Sequence, residues 1–351
     1  MQTSQLYLCR DCKKYFSSKG LKGKTYPVGT ILQAISLYNL GYTLSQVSQR
    51  IFSKYHCRPS VQLIHNWLKE FRALCSYRRL RKAGMRLFGP SEIIHTATLF
   101  HKQVYRYRFH RAKLDLLFSE APNTHGCQAS RRFKQDGHDR LLPLQDYLVR
   151  MAQTCPRDIF VKEGPRASQL WGGFDLERVN IFKKTNYATR LAELALKASP
   201  NNKMRHDTLQ KFMLTNDSVT VAVEIPIWLT PEDVEYYRNL GFKLPFTLKE
   251  SLSGHIDFVQ VRNGFAHILD YKPDAVKERH AHEQLTFYAL ALSRRAGLMV
   301  KDFRCGWFDE KDYYEFSPLS MVMKTSANTK ENLDKKFSRG QIIKAETWLK
   351  R

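Results

Sequence analysis

Two alternating runs joined by Asn263-Gly264 constrain this 351-residue chain more tightly than anything else in it. Ser253 to Val261 and Ala266 to Lys272 alternate polar with apolar residues. An Asn-Gly step between such runs favours a two-residue hairpin turn, because both central residues must take positive φ. If Asn263 and Gly264 form that turn, Arg262 faces Phe265, and counting outward sets Asp257 opposite Asp270 and His255 opposite Lys272. Side chains alternate with a period of two, so these four share one face. Facing Cβ atoms lie about 4.5–5.5 Å apart, where two carboxylates repel each other. A divalent cation would neutralise the pair; the plain alternative is a solvated face on which water weakens the repulsion.

The extended run stops at Pro273, and His280 to Gly297 reads as a helix closing in Arg294, Arg295 and a terminal glycine, good stop signals. Gln284 and Tyr288 are four apart and project from one face of an otherwise apolar helix. Taken singly, each reads more simply as a core polar residue with a satisfied partner. Taken in order, an acid, then Asp270-Tyr271-Lys272 on the next strand, then Gln-x-x-x-Tyr on the next helix resembles the PD-(D/E)XK nuclease superfamily, specifically its RecB-like branch, over roughly residues 200–310.

That resemblance implies a restriction-endonuclease-like α/β domain with a central mixed sheet, an upstream glutamate on a strand and a histidine on a helix. Ser218 to Leu229 alternates, with Val219, Val221, Val223, Ile225 and Ile227 on one face and Glu224 on the other, so Glu224 fits the glutamate. His206 fits the histidine, with a surface histidine as its alternative. Phosphodiester hydrolysis needs an activated water and compensation for charge growing on the phosphate. Asp257 and Asp270, with Glu224 as third ligand, would hold Mg²⁺ or Mn²⁺ through hard carboxylate oxygens, and Lys272 would orient the water or stabilise the transition state. The resemblance gives Gln284 and Tyr288 the task of positioning strand or water. Some RecB-like nucleases carry an iron–sulfur cluster, but the seven cysteines here (9, 12, 57, 75, 127, 155, 305) show no clustered ligand pattern, so no cluster is expected.

At the other end, Cys9-Arg-Asp-Cys12 followed by Lys-Lys-Tyr-Phe resembles the second knuckle of a transposase zinc ribbon. A structural zinc wants four ligands, and the eight residues before Cys9 hold neither Cys nor His, so the metal status at Cys9 and Cys12 stays open. Gly29–Tyr38 and a segment from Leu44 are apolar at helical spacing around the turn Leu40–Thr43, with Thr43 able to cap the second helix, and a third helix spans Ser60–Leu74. The trio exposes Gln62, His65, Asn66 and Lys69 on its last helix. It resembles the helix-turn-helix of transposases and resolvases, with a protein-binding helical bundle as the alternative.

Charge favours a polyanionic partner. The formal net charge is +24, and residues 1–120 carry 21 basic against 5 acidic side chains, an excess too large for an ordinary solvated face. Arg78, Arg79, Arg81 and Lys82 beside Tyr77, then Arg106, Arg108 and Arg111 among aromatics, suit phosphate neutralisation with stacking. DNA is the expected partner, with RNA left open.

The expected organisation is a partial zinc-ribbon-like knuckle (1–25), an all-α helix-turn-helix module (26–88), a basic helical linker (89–140) with His95–Phe118 helical, the nuclease domain (141–320), and a tail (321–351) ending in a helix from Ile342. Leu141–Gln153 and Asn186–Lys197 would supply outer helices of the nuclease domain. No apolar run reaches the ~20 residues of a membrane span, and the start is too polar for a secretion signal. Scattered cysteines agree with a soluble, intracellular, cytoplasmic chain. The alternatives are a transposase or integrase, which uses three widely spaced acids without the acid-x-Lys and Gln-x-x-x-Tyr pattern, and an inactive DNA-binding regulator, against which the intact acid pair argues. Oligomeric state is not legible.

Overall fold

The computed structural model describes residues 6–8, 15–17, 24–73, 78–101, 103–118, 138–161, 166–167, 173–174, 179–199, 201–323 and 341–344. The chain separates into two compact units: residues 1–93 with 190–218, and residues 94–189 with 219–351.

In the first unit a short antiparallel pair, β1 (Leu6–Leu8) and β2 (Tyr15–Ser17), precedes the helices. Cys9 and Cys12 fall between these strands and lie outside the described residues, as do Cys75 and Cys127. Helices α1 (Val28–Asn39), α2 (Leu44–Tyr55) and α3 (Val61–Glu70) pack on one another around the buried side chains of Ile31, Ile35, Val47, Ile51, Ile64 and Trp67. The expected cap is present: Thr43 Oγ1 accepts from Gln46 N while Gln46 returns a side-chain acceptor to Thr43 N, a capping box. Gly41 takes φ +109 in the α1–α2 turn, a conformation that a side chain would strain.

Arg81, on α4 (Arg78–Leu87), donates to the carbonyls of Tyr38, Gly41 and Tyr42 at 2.6–3.0 Å and stacks on the Tyr38 ring. These bonds tie α4 to the end of α1 and to the α1–α2 turn, so this guanidinium is engaged within its own unit.

Residues 190–218, which fall inside the segment 141–320 expected as the nuclease domain, cluster with these N-terminal helices. The reason is local: on the helix Arg205–Asn216, Asn216 accepts from Asn39 Nδ2 at 2.7 Å and donates to Ser36 Oγ at 2.9 Å, joining it to α1.

The second unit is built on a nine-stranded mixed sheet of order β11-β5-β10-β9-β8-β7-β6-β4-β3. Its strands are β3 (Ile94–Phe100), β4 (Val104–His110), β5 (Asn180–Lys183), β6 (Thr220–Leu229), β7 (Leu252–Arg262), β8 (Phe265–Tyr271), β9 (Phe303–Phe308), β10 (Tyr313–Phe316) and β11 (Gln341–Lys344). Only β8 and β9 run parallel; every other neighbouring pair is antiparallel. A parallel pair needs a crossover, here the 16-residue helix Ala281–Ala296, which ends at Gly297 in the left-handed region as expected. This helix buries Leu285, Phe287, Leu290 and Leu292 in the main core.

Two expected helices are strands. His95–Phe118 forms the β3–β4 hairpin and then a short helix, Arg111–Phe118. Ile94, Thr96, Thr98, Val104, Tyr105 and Tyr107 are β-branched or aromatic, types that fit a pleated surface, so the run joins the sheet edge rather than forming a helical linker. Its arginines divide by period two only in part: Arg106 is exposed, but Arg108 is buried. Of the helix expected from Ile342, the described residues up to Lys344 are a strand pairing with β5, and the rest lies outside the described residues. Leu142–Thr154 is helical as expected.

Candidate active site

The turn at Asn263 (φ 52) and Gly264 (φ 73) has the positive dihedrals that the sequence requires, and Arg262 pairs with Phe265. The register runs outward to Phe258 opposite Leu269, so the next step sets Asp257 against Asp270. Asp257 Oδ2 accepts from Tyr271 N at 3.0 Å, and the Asp257 charge acts on Asp270. Asp270 is 5% exposed. Burial pushes its carboxyl well above the usual range; Lys272 opposes the rise, and the neighbouring Asp257 charge reinforces it. Asp270 therefore binds a proton more readily than an isolated carboxylate does.

Lys272 Nζ lies 2.8 Å from Asp270 Oδ2, an ion pair outside hydrogen-bond geometry. It donates to Gln284 Oε1 at 3.0 Å, and Gln284 Nε2 donates to Tyr288 Oη at 2.7 Å. Burial works against charge on Lys272, but Asp270 overcomes it and the ammonium pKa is raised. Tyr288 is pushed far upward by burial, with Asp270 adding to the rise, so its phenol stays neutral. Acid pair, lysine, glutamine and tyrosine thus form one contact chain from β7 and β8 to the crossover helix.

Gly254 makes the last link fit. A Cβ there would sit 2.6 Å from Tyr288 Cε1, closer than real contacts allow. Gly254→Ala is expected to push the Tyr288 ring away and lower cleavage about tenfold or more, since small misplacements near reacting groups cost on this scale. Nuclease assays alongside thermal melts check it; unchanged activity in a folded variant contradicts the assigned closeness.

Glu224 sits between the pairs Val223–Phe258 and Ile225–Ile256, which sets it opposite Asp257. Its φ is +56, rare for a residue with a side chain, and the strand around it is buried on both faces rather than cleanly alternating. Strain of this kind concentrates at functional sites. Glu224 acts electrostatically on Tyr105. Among the described residues, no group of three His, Cys, Asp or Glu side chains is arranged to hold a metal ion unaided.

His206 lies in the first turn of the helix Arg205–Asn216 and belongs to the other unit. There Gln62, His65, Asn66 and Lys69 are all exposed on α3, and Lys82 is exposed on α4. Gln62 Nε2 donates to Asn66 Oδ1 at 3.1 Å. Arg78 and Arg79 fall on α4, while their side chains lie outside what is described.

Sequence reasoning missed a ring cluster beside the acids. His255 stacks on Tyr105 with centroids 3.6 Å apart and planes 6° apart. Its Nε2 meets His101 Nδ1 at 2.8 Å, and His101 stacks on Phe160 at 4.1 Å. Burial lowers His255 to about 3 and His101 to about 4, so both imidazoles are neutral. Alternation in Val104–His110 was the available signal for Tyr105; read as a linker, the segment concealed it.

With this geometry in view, the comparisons are specific about the class. Residues 181–343 match the family model of the PD-(D/E)XK nuclease superfamily. The mixed sheet and crossover helix are consistent with that fold, which carries nuclease activity and a nucleic-acid substrate. No curated protein and no solved structure gave a match. Among the described residues, no helix is long and apolar enough to cross a membrane.

Proposed function

We propose that this chain is a metal-dependent DNA nuclease of the RecB-like type, hydrolysing phosphodiester bonds and held on DNA by its N-terminal helices. The observation that carries the reading is the facing Asp257–Asp270 pair, with Asp270 buried, Lys272 ion-paired to it and that lysine bonded to Gln284.

The residues fit Mg²⁺ or Mn²⁺. Two facing carboxylates, one of them buried, supply hard oxygen donors and a negative field that a divalent cation would relieve. Mg²⁺ in particular is commonly held by one or two carboxylates, keeping its other positions for water and substrate phosphate, so a closed three-residue cage is not required. Asp257 and Asp270 would hold the ion, and Glu224, opposite Asp257, is the third candidate. When bound, such an ion supplies Lewis acidity and lowers the pKa of a coordinated water. Lys272, kept charged by Asp270, stabilises negative charge growing on the phosphate or orients the attacking water. Gln284 accepts one ammonium proton and so fixes the lysine's direction, while Tyr288 presents a neutral hydroxyl. Offering closed-circular and linear DNA, single- and double-stranded, and RNA, with Mg²⁺, Mn²⁺ or EDTA, tests this. Metal-dependent DNA cutting is expected, cut circles mean an endonuclease, and cutting of RNA alone overturns the DNA assignment.

The helices α1–α3 are assigned as a transposase-like helix-turn-helix, with zinc at Cys9 and Cys12 as part of that reading. Exposed Gln62, His65 and Asn66 face bases, and Lys69 and Lys82 face phosphates. Each phosphate contact contributes about −0.9 to the slope of log affinity against log salt. The Lys69→Ala, Lys82→Ala double variant should therefore flatten that slope by about 1–2 in fluorescence titrations. An unchanged slope would remove these lysines from the interface.

A further inference from the structure

The start of β7 gathers more than the acid pair. Ser253 forms a parallel bridge with Arg166, Gly254 receives the Tyr288 ring, His255 stacks flat on Tyr105, and Asp257 carries the carboxyl pair. Five residues of one strand thus bring Arg166 and Tyr105 to the rim of the candidate site. Arg166 and Glu224 both act electrostatically on the Tyr105 hydroxyl. The other cation of the site, Lys272, is already committed to Asp270 and Gln284.

A phosphodiester approaching three carboxylates meets a repulsive field, and an arginine supplies the planar donor array that suits phosphate oxygens. A guanidinium has only donors to offer, so where Arg166 meets the Tyr105 oxygen the tyrosine accepts and keeps its own hydroxyl proton to donate. We propose that Arg166 and Tyr105 form a phosphate-binding subsite, gripping a non-bridging oxygen of the cut strand beside the acid pair. His255, His101 and Phe160 form the stacked wall that fixes the Tyr105 ring and are positioning residues. This inference rests on the nuclease reading of the same site.

The test uses the full chain in a Lys272→Ala background, so that DNA is bound without turnover. The probe is a fluorescent oligonucleotide with either natural linkages or one neutral methylphosphonate walked along the strand. The parent should lose about tenfold affinity at one linkage position. Adding Arg166→Ala or Tyr105→Phe should weaken binding to the natural strand and erase that position-specific loss; Tyr105→Phe keeps the stack and removes only the hydroxyl. Arg166→Lys, retaining charge without the fork, should recover part of the affinity and less of the position dependence. If both variants, folded by circular dichroism, keep the parent's affinity and methylphosphonate profile, the subsite is wrong. Should Lys272→Ala cut DNA like the native chain, the assignment of this site as the nuclease centre fails instead, and the binding profile still decides the subsite.

Discussion

Asp270→Asn is expected to abolish DNA cleavage and weaken Mg²⁺ or Mn²⁺ binding at least about 100-fold, since altering even the outer supports of a metal ligand costs 10–100-fold. Asp270 is the more buried member of the acid pair, and burial and Asp257 raise its proton affinity above the usual carboxylate range while Lys272 opposes the rise. Asparagine keeps the shape and one acceptor oxygen but has no charge with which to draw a cation into the pocket. It also removes the Coulombic partner of Lys272. The same proton gives a pH dependence with a definite sign. As pH falls, the pair refills with its proton, which competes with any cation, so native metal affinity should drop on acidification more steeply than separate, exposed carboxylates would allow. Calorimetric titration of the native chain and Asp270→Asn at several pH values reads both effects. Native-like metal affinity in the variant would remove Asp270 from the metal site.

Lys272→Ala separates binding from chemistry. The ammonium lies outside the ligand set, so metal binding and DNA affinity should stay near native. Cleavage should fall by roughly 10²–10³-fold, the usual cost of removing one preorganised charge that stabilises a transition state. Gln284 would lose its ammonium partner yet keep its bond to Tyr288, which limits the structural disturbance. Together the two variants predict opposite patterns in the calorimeter and the same outcome in the nuclease assay.

Local rules made the catalytic half of the fold legible. Asn263-Gly264 specified one turn type, one turn specified one register, and that register placed Asp257 against Asp270 before any tertiary information entered. The four-residue spacing of Gln284 and Tyr288 likewise put them on one helix face, where their side chains bond. What escaped depended on distant partners. Val104–His110 becomes a strand by pairing with β3 and β6, and a basic, aromatic run seen alone reads equally well as a helix or a nucleic-acid contact. Arg166 reaches the site through a bridge to Ser253, 87 positions on, with no periodicity to announce it. Arg81 looked like a DNA contact because it stands in a basic run, yet its donors are taken by carbonyls some forty residues earlier. Glu224 was found by resemblance, while its positive φ breaks the alternation that first placed it.

The most direct test is single-turnover cleavage of closed-circular and end-labelled linear DNA by the native chain and Lys272→Ala, purified identically, with Mg²⁺ and with EDTA. Cutting by the native chain in Mg²⁺, lost in EDTA and reduced at least about 100-fold in the variant, is the predicted result. Equal cutting by both chains, or none by the native chain with any divalent cation while it still binds DNA, would contradict the assignment of this site as a nuclease centre.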